Sequence, residues 1–292
     1  VRVRVPGGYL TGRQVAALAE ASVAWGDGNL DLTSRGNVQL RGLRPGTTDR
    51  LAVALVDAGL LPSATHDTAR NVVASPLRDL RAEVAAIDAG IQSMDPLPGR
   101  FLIGIGGPDV LTVRPDVAAV DGRLVVDGRD AGPGAVPELL EAAQHFLDLR
   151  RSEWRVRELS WDRPLGATVA AGTPPALGRH DDRVVALPPL GRLTPAMLQQ
   201  LAVGPVQLTP WRTVVVPDST ELTGLVTDPA SAWVGVSACA GLACGKALRD
   251  VRSDAVAALA PGPRPLHWSG CDRQCGLPTG AESRVATANG YA

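Results

Sequence analysis

The sequence predicts an α+β protein in which one half-domain occurs twice and a separate C-terminal domain holds the cysteines. Two stretches share the same order of strand, turn, capped helix and arginine-bearing strand, one near the N-terminus and one after residue 188. All four cysteines lie in the last fifth of the chain. With 292 residues, the chain is also longer than one hydrophobic core usually supports.

These observations divide the chain into four parts. Residues 1–64 and 176–226 are the two copies of the half-domain, 65–175 are an α/β domain without cysteines, and 227–292 are the cysteine-containing domain. A stretch rich in glycine, alanine and proline at 162–182 is the best candidate for a linker.

The first copy opens with alternating valine and arginine, which predicts a strand over residues 1–5. Thr11 is placed to cap a helix over residues 14–24. A second helix is predicted over residues 48–58, because Gly59 follows it as a helix-ending residue.

Residues 30–43, between these helices, alternate strongly between apolar and polar side chains. Leu32, Val38 and Leu40 can face a core. The polar residues that share the opposite parity are Arg35, Asn37, Gln39 and Arg41. Such a polar face is either solvated or binds a ligand, and the pattern alone leaves both interpretations open.

The second copy repeats this layout. Leu193-Thr194 precedes a helix over 197–202, as Leu10-Thr11 precedes the first helix, and a strand region over 206–216 carries Arg212. Internal duplication is the simplest explanation, while chance use of common units would look alike. Duplication would bring Arg35 and Arg212 together on one cavity.

The α/β domain offers a second polar motif. Arg70 and Asn71 are good donors for an anionic ligand, although an ordinary loop would look similar. Residues 99–107 and 109–113 predict a β-hairpin, and an amphipathic helix is predicted over 137–151.

The cysteines form two pairs, Cys239-x4-Cys244 and Cys271-x3-Cys275. Four thiolates converging from two loops suit an iron–sulfur cluster. A structural zinc site usually shows a C-x2-C knuckle, two disulfides would need an oxidising compartment, and inert buried cysteines are the remaining alternative. A helix predicted from residue 245 would start at Cys244 and favour a negatively charged cluster.

His267 lies four residues before Cys271. It could contact a second metal or the edge of a tetrapyrrole, and a purely structural role is the alternative.

The overall charge and hydropathy exclude several classes of function. The net charge of −1 gives no global indication of nucleic acid or of an anionic membrane as a partner. No apolar run is long enough to span a bilayer, so the expected location is a reducing cytoplasm. Lys246 is the single lysine, and arginine supplies the rest of the basic charge.

The motifs together resemble the nitrite and sulfite reductase superfamily. Residues 33–41 are similar to its tetrapyrrole-binding strand, 70–72 with 75–76 to its second motif, and the cysteine pairs to its 4Fe–4S motif. Residues 239–255, 267–276 and 285–291 look most like precorrin-3B synthases of aerobic cobalamin biosynthesis. The resemblance implies ferredoxin-like half-domains and a C-terminal 4Fe–4S domain.

The resemblance also implies a reaction. Precorrin-3B synthases hydroxylate precorrin-3A at C20 with dioxygen and form a γ-lactone, and they are associated with a 4Fe–4S cluster and a mononuclear non-haem iron. Cys239, Cys244, Cys271 and Cys275 would hold the cluster. The candidates for binding the substrate carboxylates are Arg35, Asn37, Gln39, Arg41, Arg70, Asn71 and Arg212. The expected partners are precorrin-3A, dioxygen and an NADH-linked or ferredoxin-like electron donor.

Two other functions stay open. A sirohaem-dependent nitrite or sulfite reductase is one, although such enzymes place lysines beside arginine at the bound anion. A non-catalytic tetrapyrrole- or cluster-binding protein is the other. The sequence departs from the superfamily at the first cysteine pair, where four residues stand in place of the usual five. That departure puts the fourth cluster ligand in doubt.

Overall fold

The computed structural model describes residues 1–62, 65–260 and 265–292. The predicted domain boundary at residue 64 lies outside the described residues. The helices are α1 (Gly12–Trp25), α2 (Thr48–Asp57), α3 (Arg81–Gln92), α4 (Val136–Leu149), α5 (Pro195–Leu201) and α6 (Val251–Ala257). Across these ranges, no helix has the length and apolar character needed to cross a membrane.

The described residues also form eighteen strands. The first nine are β1 (Arg2–Val3), β2 (Tyr9–Leu10), β3 (Leu30–Leu32), β4 (Val38–Leu40), β5 (Val72–Ala74), β6 (Ile103–Gly106), β7 (Val117–Val120), β8 (Arg123–Val126) and β9 (Arg129–Pro133). The others are β10 (Gly178–His180), β11 (Arg183–Ala186), β12 (Arg192–Leu193), β13 (Val206–Leu208), β14 (Val214–Pro217), β15 (Val236–Ala238), β16 (Leu266–Ser269), β17 (Glu282–Thr287) and β18 (Gly290–Tyr291).

Two antiparallel sheets are built from the predicted half-domains, and each sheet borrows a strand from the other half. The first sheet has the order β1-β4-β3-β12, and the second has the order β10-β11-β14-β13-β2. Strand β2 precedes α1, and β12 precedes α5, so each half contributes the strand before its helix to the opposite sheet. A common core, which includes Leu18, Leu30, Leu198 and Val214, joins the two halves.

The two halves share local geometry as well as element order. Thr11 caps α1 by accepting from the Gln14 amide, and Thr194 caps α5 by accepting from the Met197 amide. The turn between β3 and β4 is closed by Thr33 N–H donating to Asn37 O at 2.9 Å. The turn between β13 and β14 is closed in the same way, at 3.0 Å, by residues 209 and 213.

Two further sheets share one topology. In the sheet β5-β6-β7-β8-β9, the first two pairings are parallel and the next two are antiparallel. In β15-β16-β17-β18, the first two pairings are parallel and the last is antiparallel. Helices α3 and α4 cover the first of these sheets around Ile87 and Phe146, and α6 covers the second around Val251.

The structure corrects three local predictions. The predicted hairpin at 99–113 is wrong, because β6 pairs in parallel with β7 and a 3-10 helix (Pro108–Val113) connects them. The helix predicted from residue 245 begins only at Val251, where the Asp250 side chain caps it. Residues 33–37 form a turn, so Arg35 and Asn37 do not continue the strand parity of Gln39 and Arg41.

Candidate substrate cleft and cysteine site

One face of the first sheet is polar. Arg2 lies opposite Gln39, and Asp31 lies opposite both Gln39 and Arg192. Residues directly opposite each other in antiparallel strands point to the same face, so these four side chains share one side of the sheet. The opposite face carries Val3, Val38 and the leucines of the core.

Asp31 is the centre of this polar face. Its carboxylate is buried and accepts from Arg41 Nε at 2.5 Å, from Arg192 Nε at 2.8 Å and from Arg252 Nη2 at 3.1 Å. Burial alone would raise the pKa of Asp31, but the hydrogen bonds and charges of the three arginines outweigh it and lower the pKa. One carboxylate therefore neutralises only part of the charge of three guanidinium groups.

A second group of arginines, Arg2, Arg4, Arg35 and Arg155, lies beside this face. Burial, together with the charges of Arg155, Arg4 and Arg2, lowers the pKa of Arg35 to about 10. Burial and the neighbouring Arg2 likewise lower the pKa of Arg4 to about 10. Arg155 pairs with the buried carboxylate of Asp116. Arg4 is 7% exposed, and its Nη1 has no hydrogen-bond partner among the described residues.

Three of the residues predicted to bind substrate have internal partners. Arg70 is held by both carboxylate oxygens of Asp88, at 2.7 and 2.9 Å. Asn37 accepts from the Val5 amide at 2.8 Å and donates to Asn71 at 3.3 Å. Asn71 also donates to two backbone carbonyls, and both asparagines are fully buried. These contacts join the first half-domain to the α/β domain.

The other predicted residues, Arg35, Gln39, Arg41 and Arg212, are partly buried. Arg35 Nη1 donates to Gly99 O at 3.0 Å, and Arg41 Nη2 donates to Gln39 Oε1 at 3.1 Å. Arg212 does not occupy the position equivalent to Arg35. It matches Gly36, since both have a left-handed backbone, with φ of +62° and +66°. Trp211 stands where Arg35 does, and its indole N–H donates to Thr112 at 3.0 Å.

The first cysteine loop follows β15. Cys239 Sγ accepts from the amides of Gly270 at 3.1 Å and Gly241 at 3.4 Å. A Cβ on Gly270 would lie 3.4 Å from the same sulfur, so the two cysteine loops meet here. Arg252 Nε donates to the Cys239 carbonyl at 3.0 Å, which ties the loop to α6.

The first α/β sheet has a counterpart of Cys239. Ser75 follows β5, and its amide donates to Ile105 O at 3.0 Å, as the Cys239 amide donates to Trp268 O at 2.9 Å. Ser75 Oγ then accepts from the Gly107 amide at 2.7 Å, in the place where Cys239 Sγ accepts from Gly270. The same backbone arrangement thus holds a hydroxyl in one sheet and a thiol in the other.

The second cysteine loop follows β16, and Arg212 holds it. Arg212 Nη2 donates to Gly276 O at 2.8 Å. His267 is fully buried on β16, and its Nδ1 shares a hydrogen bond with Ser237 Oγ at 2.8 Å. Burial, followed by the charge of Arg212, lowers the pKa of His267 to about 4, and the backbone of Cys275 only partly opposes this. Within the described residues, Nε2 has no hydrogen bond of normal geometry.

The donor set of these loops fits a four-thiolate cluster. All four cysteines are free, and the loops that carry them follow adjacent parallel strands. Amide donors at Cys239 favour a thiolate, as clusters require. Over residues 1–62, 65–260 and 265–292, however, no three Cys, His, Asp or Glu side chains are grouped as a metal site. Donor chemistry therefore agrees with a cluster, whereas the sulfurs are not gathered around one centre.

Sequence reasoning missed five arginines of the candidate cleft, by which we mean the polar face around Asp31 and the arginines beside it: Arg2, Arg4, Arg155, Arg192 and Arg252. The alternation of valine and arginine over residues 1–5 contained a signal for the first two, because the arginines share the parity that faces away from Val3 and Val5. Arg192 and Arg252 carried no such signal, since they approach Asp31 from other parts of the chain.

Comparison with known proteins identifies related chains. Residues 1–58 match the family described as nitrite/sulfite reductase ferredoxin-like half domain. A ferredoxin–nitrite reductase of Synechococcus elongatus is 26% identical over 381 aligned positions, covering 96% of this chain and 74% of that protein. A precorrin-3B synthase of Sinorhizobium sp is 27% identical over 360 positions, covering 100% of this chain and 78% of that protein.

Among solved structures, the NirA protein of Mycobacterium tuberculosis has a TM-score of 0.67 at 19% identity, covering 94% of this chain and 68% of that one. Both sequence alignments are longer than the 292-residue chain, so the relatives carry segments that this chain lacks. The fold is a mixed α+β fold of the NirA type with a ferredoxin-like half-domain. The resemblance to the nitrite and sulfite reductase superfamily, and within it to precorrin-3B synthase, is confirmed.

Proposed function

We propose that this chain, which resembles the nitrite and sulfite reductase superfamily, is an oxidoreductase, and specifically a precorrin-3B synthase. It would hydroxylate precorrin-3A at C20 with dioxygen and form the γ-lactone, in aerobic cobalamin biosynthesis. The observation that carries the proposal is the excess of arginines over carboxylates around Asp31 and along the face of the first sheet that it shares with Arg2 and Arg192. Lys246, the single lysine of the chain, is exposed in the first cysteine loop.

The arginines supply what a carboxylate-rich macrocycle needs. Arg2, Arg4 and Arg35 form no ion pair within the described residues, and the burial of Arg4 and partial burial of Arg35 would favour their pairing with an incoming anion. Planar guanidinium groups bind carboxylates with two parallel hydrogen bonds, which orient a ring bearing several acetate and propionate groups. Arg70, Asn37 and Asn71 would act behind them as supports that fix the strand and loop carrying Arg35.

The cleft disfavours the reductase alternative. Multi-electron reduction of nitrite or sulfite needs several proton donors at the bound anion, and enzymes of that class place lysines beside arginine there, whereas the single lysine of this chain, Lys246, is exposed in the first cysteine loop. A tetrapyrrole substrate that the arginines bind by its peripheral carboxylates does not need several proton donors from these side chains. Sirohaem would be the cofactor under the reductase alternative only.

The four cysteines would hold the electron-transfer group. Cys239, Cys244, Cys271 and Cys275 are the candidate ligands of a 4Fe–4S cluster, which when bound supplies single electrons to the reaction. Arg252 and Arg212 would fix the two loops through their backbone carbonyls. His267, neutral and buried beside the second loop, is a candidate for contact with the ring or with a mononuclear iron.

We further propose that the chain arose by duplication of a unit with one half-domain and one α/β sheet. The matching caps, turns and strand exchange support this history. Ser75 would then be the residue that replaced a cysteine, or preceded one, in the first copy. Divergence of the two copies after the duplication would account for cysteines in one copy and none in the other.

The proposal is tested by anaerobic purification followed by iron and sulfide analysis, EPR spectroscopy and turnover. We expect about four irons and four sulfides per chain, an EPR signal after reduction and no sirohaem absorption. Added precorrin-3A, dioxygen and a reductant should then give a product carrying one more oxygen atom.

Cys275→Ser removes one proposed cluster ligand. This variant should lose both bound iron and oxygen-dependent turnover. Sirohaem bands, with reduction of nitrite or sulfite, would instead establish the reductase. Tight binding of the tetrapyrrole without any oxygen-dependent product would indicate a binding protein.

A further inference from the structure

Three parts of the chain meet at the carboxylate of Asp31. Arg41 belongs to the first half-domain, Arg192 to the second, and Arg252 to helix α6 of the cysteine-containing domain. Both carboxylate oxygens are shared: Oδ1 accepts from Arg192 and Arg252, and Oδ2 accepts from Arg41 and from Arg192 at 3.4 Å.

Arg252 extends this arrangement to a cysteine. Its Nη2 binds Asp31, and its Nε binds the backbone carbonyl of Cys239. Its Nη1 is buried without a hydrogen-bond partner among the described residues. The guanidinium is therefore fixed from two sides, and a movement of Asp31 would shift the first cysteine loop.

The carboxylate has more cations beside it than it can neutralise. An anionic group that binds Arg41 or Arg192 from the open side of the sheet competes with Asp31 for these arginines. Asp31 would then interact more strongly with Arg252, because fewer donors share its oxygens. Binding of an anion in the cleft would thus change how firmly the first cysteine loop is held, through the contacts of Asp31 with Arg252 and of Arg252 with Cys239.

We propose that Asp31 is a positioning residue that couples occupancy of the arginine-lined cleft to the first cysteine loop through Arg252. The proposal deepens the proposed function, on which it rests for the identity of the ligand. The link itself consists of residues of this chain, so it can be tested without a cluster and without turnover.

The test is hydrogen–deuterium exchange of the metal-free protein with residues 1–292. In Asp31→Asn, backbone amides of residues 239–248 should exchange about tenfold faster than in the unsubstituted protein, as expected for loss of hydrogen bonds to a charged group. Asp31→Glu keeps the charge and should restore part of the protection. Asp88→Asn is the matched control, since it breaks another buried Asp–Arg pair and should loosen only α3 and the strand that follows Arg70.

Coupling is measured with uroporphyrin III, a stable porphyrin that bears carboxylates. The porphyrin should slow exchange of residues 239–248 in the unsubstituted protein and in Asp88→Asn, and it should leave the loop unchanged in Asp31→Asn. Arg252→Lys, which loses the Nε donor while keeping the charge, should show the same loss of response and serves if Asp31→Asn does not fold.

Two results would overturn the proposal. Unchanged exchange of the loop in both Asp31→Asn and Arg252→Lys would show that the contacts do not hold it. An equal porphyrin response in all variants would show that the cleft and the loop are not coupled through Asp31. Absence of oxygen-dependent turnover, with these exchange results as expected, would contradict the proposed function alone.

Discussion

The buried carboxylate of Asp31 stays ionised because three arginines donate hydrogen bonds to it. Arg192, Arg252 and Arg41 lower the pKa of Asp31 despite its burial. Because the pKa in the folded state lies below the unfolded value, the stability that Asp31 contributes is present above its ordinary pKa and is lost as the pH falls. The arginines have the opposite imbalance, and several stay unneutralised until an anion binds.

Arg4 allows the clearest test of that imbalance. Its side chain is buried, and its Nη1 has no partner within the described residues. Replacing an unpaired buried cation with an apolar side chain of similar length removes a desolvation penalty. We therefore expect Arg4→Met to raise the free energy of unfolding by about 1–3 kcal/mol in urea denaturation. Binding of uroporphyrin III, followed by fluorescence, should weaken about tenfold or more, since a charge-assisted hydrogen bond is lost.

Arg44→Met is the control for this experiment, because Arg44 is exposed and lies outside the cleft. Arg44→Met should leave the free energy of unfolding and the affinity for uroporphyrin III nearly unchanged. A loss of stability in Arg4→Met would mean that the folded protein pairs Arg4 internally, and the cleft would then have one cation fewer for a ligand.

At the scale of single residues, sequence reasoning predicted a polar strand face but not the internal contacts of each side chain. Gln39 and Arg41 lie on the predicted polar face, because strand alternation is a local property. Asn37, Asn71 and Arg70 look identical to ligand-binding residues in the sequence. Their internal partners come from distant positions, and alternation carries no information about those contacts.

The helices show which element-level predictions succeed. Helix α1 was predicted with its cap, since Thr11 and Gln14 are a local pair that close a capping box. The helix after the first cysteine pair starts six residues later than predicted, at Val251 in place of residue 245. Asp250 caps it, and the preceding residues instead bond to the second loop, as in the contact of Leu248 N–H with Gly270 O at 2.8 Å.

The two threonine caps predict a graded effect on stability. Thr11 takes part in two hydrogen bonds with Gln14, at 3.0 and 3.2 Å, whereas Thr194 accepts one from Met197 at 3.4 Å. Thr11→Ala should lower the free energy of unfolding by about 1–2 kcal/mol, and Thr194→Ala by about 0.5–1 kcal/mol. Urea denaturation measures both. A larger effect at Thr194 would contradict the expectation that the shorter bond from the Gln14 amide to Thr11 Oγ1 makes the first cap the stronger one.

The short first cysteine loop depends on Gly241. Its φ of +58° is left-handed, and a Cβ there would find only ordinary contacts, the nearest at 3.6 Å from Arg252. Gly241→Ala should therefore cost about 1–2 kcal/mol of backbone strain. Gly122→Ala is the matched control, because Gly122 has φ of +78°, open space around it and no cysteine in its domain.

Both glycine variants should lose similar stability, but only Gly241→Ala should retain less iron after anaerobic reconstitution. Equal iron content in the two proteins would show that the loop tolerates strain and that its shortened spacing is not critical for a cluster.

At the scale of the molecule, the exchange of strands between the halves was outside the reach of sequence patterns. The similar order of elements in the two half-domains could be predicted from local patterns. Pairing of β2 with β13 and of β12 with β3 joins residues almost 200 and more than 160 positions apart, and two-residue strands have almost no signature of their own. The cleft follows from this exchange, since Arg192 reaches Asp31 only because β12 lies in the first sheet.

Gly8 is the point where the exchange is tightest. It precedes β2 in a left-handed conformation, with φ of +76°, and a Cβ there would lie 1.9 Å from the carbonyl oxygen of Leu208 in the opposite half. Since the obstacle is backbone and not a flexible side chain, Gly8→Ala can fold only if the halves move apart. We expect the free energy of unfolding to fall by about 3 kcal/mol or more, from strain and overpacking together.

Gly46→Ala is the matched control. Gly46 has a similar φ, at +75°, but nothing lies within 4 Å of a Cβ there, so the variant should show strain alone. Urea denaturation gives both losses, and their difference isolates the contact between the halves. That difference should be accompanied by weaker binding of uroporphyrin III in Gly8→Ala only, because separating the halves draws Arg192 away from Asp31. Equal losses in the two variants would mean that the halves do not meet as closely at Gly8 as the strand exchange requires.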